Sequence, residues 1–157
     1  MEHSSNTAMF MEKFRVLLET GEELPLPVQG SSMAPFLCSG RDTVWLRKTE
    51  GPLKPGDIVM CRDSAGIYAL QRVKSVRDGV CTVLGDGRTE AQTGVGPEQI
   101  LGRLVRAWSK GQVTGPGSFR WELFARVWLH TGALRRPLLR LAGCGGSGAE
   151  RSRTDGK

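Results

Sequence analysis

The chain is poor in the side chains that make metal and cofactor sites: it has two histidines, His3 and His130, and a single tyrosine, Tyr68. Its four cysteines, Cys38, Cys61, Cys81 and Cys144, are widely spaced, and with so few histidines beside them no zinc-ligand pattern can be drawn. No metal and no cofactor is expected. The cysteines read as reduced thiols, with Cys61 and Cys81 acting as small buried hydrophobes in strand-like segments rather than as reactive groups. Long apolar runs are also missing. The longest stretch without charge, Leu24 to Gly40, contains Pro25, Pro27 and Pro35, which excludes a transmembrane helix. The N-terminus has Glu2, Glu12 and Glu19 around a short apolar patch, without the basic start and long apolar centre of a secretory signal. A cytoplasmic protein is expected.

With 157 residues, 39% of them hydrophobic and 24% charged, the chain fits one ordinary folded domain. The charge is unevenly placed. Residues 1–109 hold 13 basic and 13 acidic side chains, whereas residues 110–157 hold 9 basic and 3 acidic, so the net charge of +6 lies in the last third. Net charge bears on association and solubility, not on fold. It therefore describes the C-terminal region and leaves the body neutral.

Phe10, Phe14, Leu17 and Leu18 recur at helical spacing, with Asn6 or Thr7 available as cap and Gly21 just beyond; this predicts a short amphipathic helix. The pattern then changes to short β-rich segments at 43–47, 57–62, 67–76, 80–85 and 99–108. Ser64-Ala65-Gly66 and Asp78-Gly79 read as hairpin turns. From Phe119 to Leu141 the chain becomes helical, divided into two pieces at Gly132 and Pro137. Beyond Gly143 it is Gly, Ser and charge, a composition that predicts disorder. The fold class expected is mainly β, organised as a helix over 1–22, a β domain over 23–109, a basic Trp/Leu/Arg helical region over 110–142 and a disordered tail over 143–157.

The chemistry is carried by five ordered segments: Val28-Gln29-Gly30-Ser31-Ser32-Met33-Ala34-Pro35, Gly56-Asp57-Ile58-Val59, Leu70-Gln71-Arg72-Val73, Gly85-Asp86-Gly87 and Ile100-Leu101-Gly102-Arg103. Their order and spacing resemble the signal peptidase I superfamily, which includes the self-cleaving SOS and phage repressors; the Ser-Met-x-Pro wording and the closing Ile-Leu-Gly-Arg are nearer the signal peptidase branch. The resemblance covers about residues 24 to 108. It implies a signal-peptidase-like β domain in which Ser32 is the nucleophile. A serine hydroxyl is a weak nucleophile at neutral pH and needs a base to take its proton. Gly30 and the Ser32 N–H fit an oxyanion site, and Met33 and Pro35 would hold the turn and line the cleft. Ser31, Ser39 and Asp57 read as turn residues. Asp86 stays open as a helper, because similar peptidases place polar or acidic groups near this box.

The sequence departs from the family at the general base. The resemblance puts a Lys or His just before the Arg-Val pair, where this chain has Gln71. An amide can hold a hydroxyl by hydrogen bond but does not accept its proton near neutral pH. By analogy with subtilisin, losing the base costs on the order of a million-fold in turnover. Substitutes are scarce: Lys74 is expected on the opposite strand face from Gln71, His3 and His130 lie far along the chain, and Asp86 or Glu90 would serve only as weak bases. Two functions follow. One is a serine peptidase, degenerate at its base, that takes an extended peptide or protein segment against a β edge; the other is a non-catalytic binding module that keeps the groove.

In the C-terminal region Trp121, Phe124, Trp128, Leu134, Leu138 and Leu141 interleave with Arg120, Arg126, Arg135, Arg136 and Arg140. Such interleaving suits either an interfacial helix pair on an anionic membrane surface or helices packed on the β domain with solvated arginines. Nucleic acid is disfavoured as a partner, since no recognition motif accompanies the basic residues.

Overall fold

The structure is a computed structural model that describes residues 2–141; the tail at 143–157, where disorder is expected, lies outside the described residues. The fold is mainly β, as expected: eight strands in one antiparallel sheet, with a helix before it and helical segments after it. The elements are α1 (Glu2–Leu18), β1 (Leu24–Pro27), β2 (Thr43–Arg47), β3 (Ile58–Arg62), β4 (Tyr68–Arg77), β5 (Val80–Leu84), β6 (Gln92–Val95), β7 (Ile100–Ser109), β8 (Gln112–Thr114), α2 (Phe119–Arg126) and α3 (Arg135–Leu141). The strand order is β1-β2-β7-β3-β4-β5-β6, with β8 beside β7.

Both expected hairpins form. Asp78 and Gly79 have φ of 51° and 78° between β4 and β5, the left-handed pair that matches the twist of a two-residue turn. At the other hairpin the Asp63 carboxylate accepts from the Ala65 and Ile67 N–H groups at 2.9 and 2.8 Å and stiffens the β3–β4 turn. Strands β1, β6 and β8 fall outside the predicted segments. The Leu-Pro-Leu-Pro run of β1 does not look like a strand, yet it pairs with β2 at the sheet edge, where a missing proline N–H leaves no neighbour without a donor.

Side-chain alternation divides the interior in two. Ile58 and Met60 of β3 enter a core shared with Phe14, Leu18, Phe36, Leu46 and Leu104, while Val59 and Cys61 point the other way, to Val73, Cys81, Val83 and Val95. A continuous apolar run such as Ile58-Val59-Met60-Cys61 is what a strand covered on both faces requires. Helix α1 closes the first core with Met11, Phe14 and Leu18. Phe10 and Leu17, expected on the buried stripe, are exposed, because the contact face runs at i, i+3 and i+7 from Met11. The helix also starts earlier than its expected cap: Asn6 and Thr7 are inside it.

Two further expectations are corrected. Pro137 does not break a helix; it occupies the first turn of α3, where the lost N–H had no intrahelical acceptor. The break lies upstream, in two short 3₁₀ turns at Trp128–His130 and Gly132–Leu134. Cys61 and Cys81 are free and buried, but Cys38 is disulfide-bonded and not reduced. Spacing along the chain does not reveal which thiols the fold brings together; Cys144 lies outside the described residues.

Candidate functional site

The loop that carries Ser32 joins β1 to β2, and its shape follows from its composition. Gly30 adopts φ of +71°, a left-handed conformation that costs a residue with a Cβ about 1 kcal/mol or more. Beyond it Met33, Phe36 and Leu37 sink into the first core. The loop closes on itself through Val28 N–H to the Asp42 carbonyl at 2.9 Å and Cys38 N–H to the Asp42 carboxylate at 2.8 Å. Burial alone would raise the Asp42 carboxyl, but hydrogen bonds from Arg41, the Cys38 N–H and Ser109, with the charge of Arg41, bring it below its ordinary value.

The Gly85-Asp86-Gly87 box forms the other side of this loop. Gly87 N–H donates to the Ser32 carbonyl at 2.9 Å. A Cβ on Gly85 would stand 2.3 Å from the Ser32 oxygen, and one on Gly87 would stand 2.1 Å from the Ser31 oxygen. These glycines are needed because two backbones touch, not because a turn bends there.

Ser32 and Gln71 line one cleft of about 810 Å³, together with Ala69, Asp63, Arg88, Glu90 and Gln92 among others. Gln71 comes from β4 and its amide donates to the Gln92 side-chain oxygen at 3.1 Å. Residues 68–71 pair with β3 along one edge, while β5 engages β4 only from Arg72 onward. The opposite edge of 68–71 therefore has no strand partner, and two of its residues, Ala69 and Gln71, line the cleft. Neither the Ser32 hydroxyl nor its N–H has a hydrogen-bond partner among the described residues. The N–H is thus available to a developing oxyanion, and no Lys, His or carboxylate among the described residues is hydrogen-bonded to the hydroxyl.

The other expected site residues are placed differently. The Met33 side chain is buried in the core, and Pro35, which follows a cis peptide bond, and Gly30 are not among the cleft-lining residues; they shape the loop without walling the cleft. Asp86 has no exposed surface, and neither does its partner Arg72. The Arg72 guanidinium donates to Asp86 at 2.7 and 3.0 Å and to the Gly56 carbonyl at 3.1 Å. Burial pushes the Asp86 carboxyl up, opposed by the charge and hydrogen bonds of Arg72 and by the charge of Arg135. A carboxylate held this way is a structural counter-ion. That corrects its reading as a helper to Ser32. Lys74 is exposed at a bulge between Val73 and Ser75 and does not line the cleft, and the same holds for His130, whose ring meets the Arg126 carbonyl. Glu90 is the one expected weak base on the cleft wall.

Helix α2 is built into this arrangement. Phe36 lies between two cations, Arg72 at 4.8 Å and Arg120 at 5.1 Å from its ring centre, with Trp121 against its edge. Arg120 also donates to the Phe36 carbonyl at 2.7 Å. Farther on, Trp128 Nε1–H donates to the Asp86 carbonyl at 2.9 Å, and Arg135 donates to the Gly85 and Asp86 carbonyls at 3.1 and 3.2 Å. Trp121, Phe124, Trp128, Arg120 and Arg135 are therefore packing residues. The exposed apolar set is different: Phe119, Leu123, Val127, Leu134 and Leu138. The side chain of Leu141 lies outside the described residues.

Sequence reasoning missed Gln92, Phe36 and the deep role of Arg72. The signal for Arg72 was present, since a lone arginine between Leu70 and Val73 in a strand buried on both faces must find a counter-ion. No family, curated protein or solved structure matches the chain.

Proposed function

We propose that the chain is a signal-peptidase-like serine peptidase domain, degenerate at its general base, that holds an extended peptide beside Ser32. The observation that supports this most directly is the meeting of Ser32 and Gln71 on one cleft, the two positions that the resemblance assigns to nucleophile and base. The unpaired edge of 68–71 suits a substrate strand, which would gain main-chain hydrogen bonds there and place alternate side chains against the cleft wall. The free Ser32 N–H suits an oxyanion. Gln71 cannot receive the serine proton, and Glu90, exposed to water and not hydrogen-bonded to Ser32, is not held where it could. Peptide retention without efficient cleavage is the expected behaviour.

The test replaces Gln71 by Lys and by His, each with and without Ser32→Ala, and follows both peptide cleavage and acyl labelling. Ser32-dependent activity should appear in at least one Gln71 variant and be slow or undetectable in the parent. Robust Ser32-dependent cleavage by the parent would overturn the degenerate reading; no gain in either variant, with peptide binding intact, would favour a module that binds only.

A second proposal concerns the membrane. Phe119, Leu123, Val127, Leu134 and Leu138 are exposed near the exposed arginines Arg126, Arg136 and Arg140. An apolar strip with cations beside it suits shallow insertion into an anionic lipid surface. No helix among the described residues is long and apolar enough to cross a membrane.

A further inference from the structure

A second cavity, of about 450 Å³, lies between the end of α1, the loop after β2 and the β4–β5 hairpin. It shares no lining residue with the Ser32 cleft, and nothing in the peptide-binding reading uses it. Its floor is apolar: Leu53, Val76 and Ile100 pack on the second core, and Leu101 and Cys81 complete the wall. Its volume falls in the range of small-molecule sites.

Two polar features make it more than a gap in the packing. Thr49 lines the cavity, and its hydroxyl is buried just behind the wall with no hydrogen-bond partner among the described residues. A buried hydroxyl left without a partner is a standing cost to the fold, which a ligand that accepts from it would relieve. Arg15, at the same wall, is half-buried, and its guanidinium has neither ion pair nor hydrogen bond among the described residues. The remaining charges nearly cancel, since Lys48 pairs with Glu19. The cavity thus offers one uncompensated cation and one unpaired hydroxyl above an aliphatic floor.

We propose that this cavity binds a monocarboxylate carrying an aliphatic chain. The carboxylate would accept from the Arg15 guanidinium and the Thr49 hydroxyl, and the chain would lie on Leu53, Val76 and Ile100. A single excess positive charge matches a monoanion, and charge-assisted hydrogen bonds to a guanidinium are among the stronger polar contacts in proteins. The apolar floor excludes a bare inorganic anion as the preferred occupant.

The experiment uses octanoate as probe and the full chain. Calorimetry should show saturable binding of octanoate, weaker binding of octan-1-ol and none of acetate or octylammonium. In methyl NMR spectra the resonances of Leu53, Val76, Ile100 and Leu101 should move on titration. Arg15→Gln should weaken octanoate by roughly tenfold or more, the loss expected of one charge-assisted hydrogen bond. Thr49→Val should weaken it and Thr49→Ser should not, and since Arg15 and Thr49 are both partly buried, each variant is checked for an unchanged spectrum outside the cavity. Should Thr49→Val fail that check, the Arg15→Gln and Thr49→Ser comparison decides. No saturable binding would overturn the proposal. So would equal affinity for octanoate and octan-1-ol that Arg15→Gln leaves unchanged, or octanoate shifts confined to Ile67 and Ala69 of the Ser32 cleft.

Discussion

The Gly87 N–H donates to the Ser32 carbonyl at 2.9 Å, and a Cβ on Gly85 would reach within 2.3 Å of that same oxygen. The serine loop and the Gly-Asp-Gly segment are therefore in backbone contact, and the position of Ser32 depends on two absent side chains. Gly85→Ala and Gly87→Ala should each cost about 1–3 kcal/mol, the usual range for forced overpacking, and should weaken peptide binding at the cleft. Urea denaturation and peptide titration measure the two effects. Parent-like stability and binding in both variants would show that the contact can relax freely.

The Arg72–Asp86 pair should behave as a buried unit. Removing one partner strands the other charge without water, so Arg72→Met or Asp86→Leu should destabilise by about 3–5 kcal/mol. The double variant should lose less than the two single losses added together, because no buried charge remains. A cycle of chemical denaturations gives the coupling. Additive losses would mean that the two groups are independent.

Asp42 gives a prediction in pH. Its carboxyl is held below the ordinary value, so it contributes stability that is present above its unfolded pKa, about 3.9, and is lost as the pH falls through the lower folded value. Asp42→Asn should be less stable than the parent at pH 7, and the difference should narrow as the pH is lowered from about 4 towards 2. Denaturation at a series of pH values follows this directly. A gap that stays constant across that range would remove the ionised carboxylate from the account.

On α2 the buried and exposed faces can be separated by substitution. Phe119 is 83% exposed, so Phe119→Ser with Leu123→Ser should leave the melting temperature nearly unchanged. The same variant should lose affinity for vesicles containing anionic lipid. Sedimentation with neutral and anionic vesicles is the measurement; equal binding by parent and variant would sink the membrane proposal.

Much of the fold was legible because its signals are local. The segment at 43–47 coincides with β2, and the Asp78-Gly79 turn is where a two-residue hairpin loop needs left-handed backbone. That Ser32 and Gln71 line one cleft was expected only from the resemblance, because periodicity does not say which segments a fold brings to one cleft. What was not legible depends on partners distant in sequence. Leu24–Pro27 becomes a strand because β2 lies beside it, and Asp86 becomes a counter-ion because Arg72 does. The tryptophans of the C-terminal region gave the right amphipathic pattern but not which side faces the protein; the carbonyls of Gly85, Asp86 and Phe36 decide that by attracting Trp128, Arg135 and Arg120.

The placement of Phe36 between Arg72 and Arg120 has a consequence for the order in which the protein can form. Phe36 leaves the ribosome before Arg72, and Arg120, Trp128 and Arg135 follow both. Until those residues emerge, the Asp86 carbonyl lacks Trp128 and Arg135 and the Phe36 carbonyl lacks Arg120, so the serine loop is expected to stay short of its final shape on a partial chain. A nascent chain stalled with α2 still in the exit tunnel should hold its hairpins yet leave the Ser32 loop open to protease. Release of α2 would close it, so that the groove is completed only after every strand of the sheet has already been made.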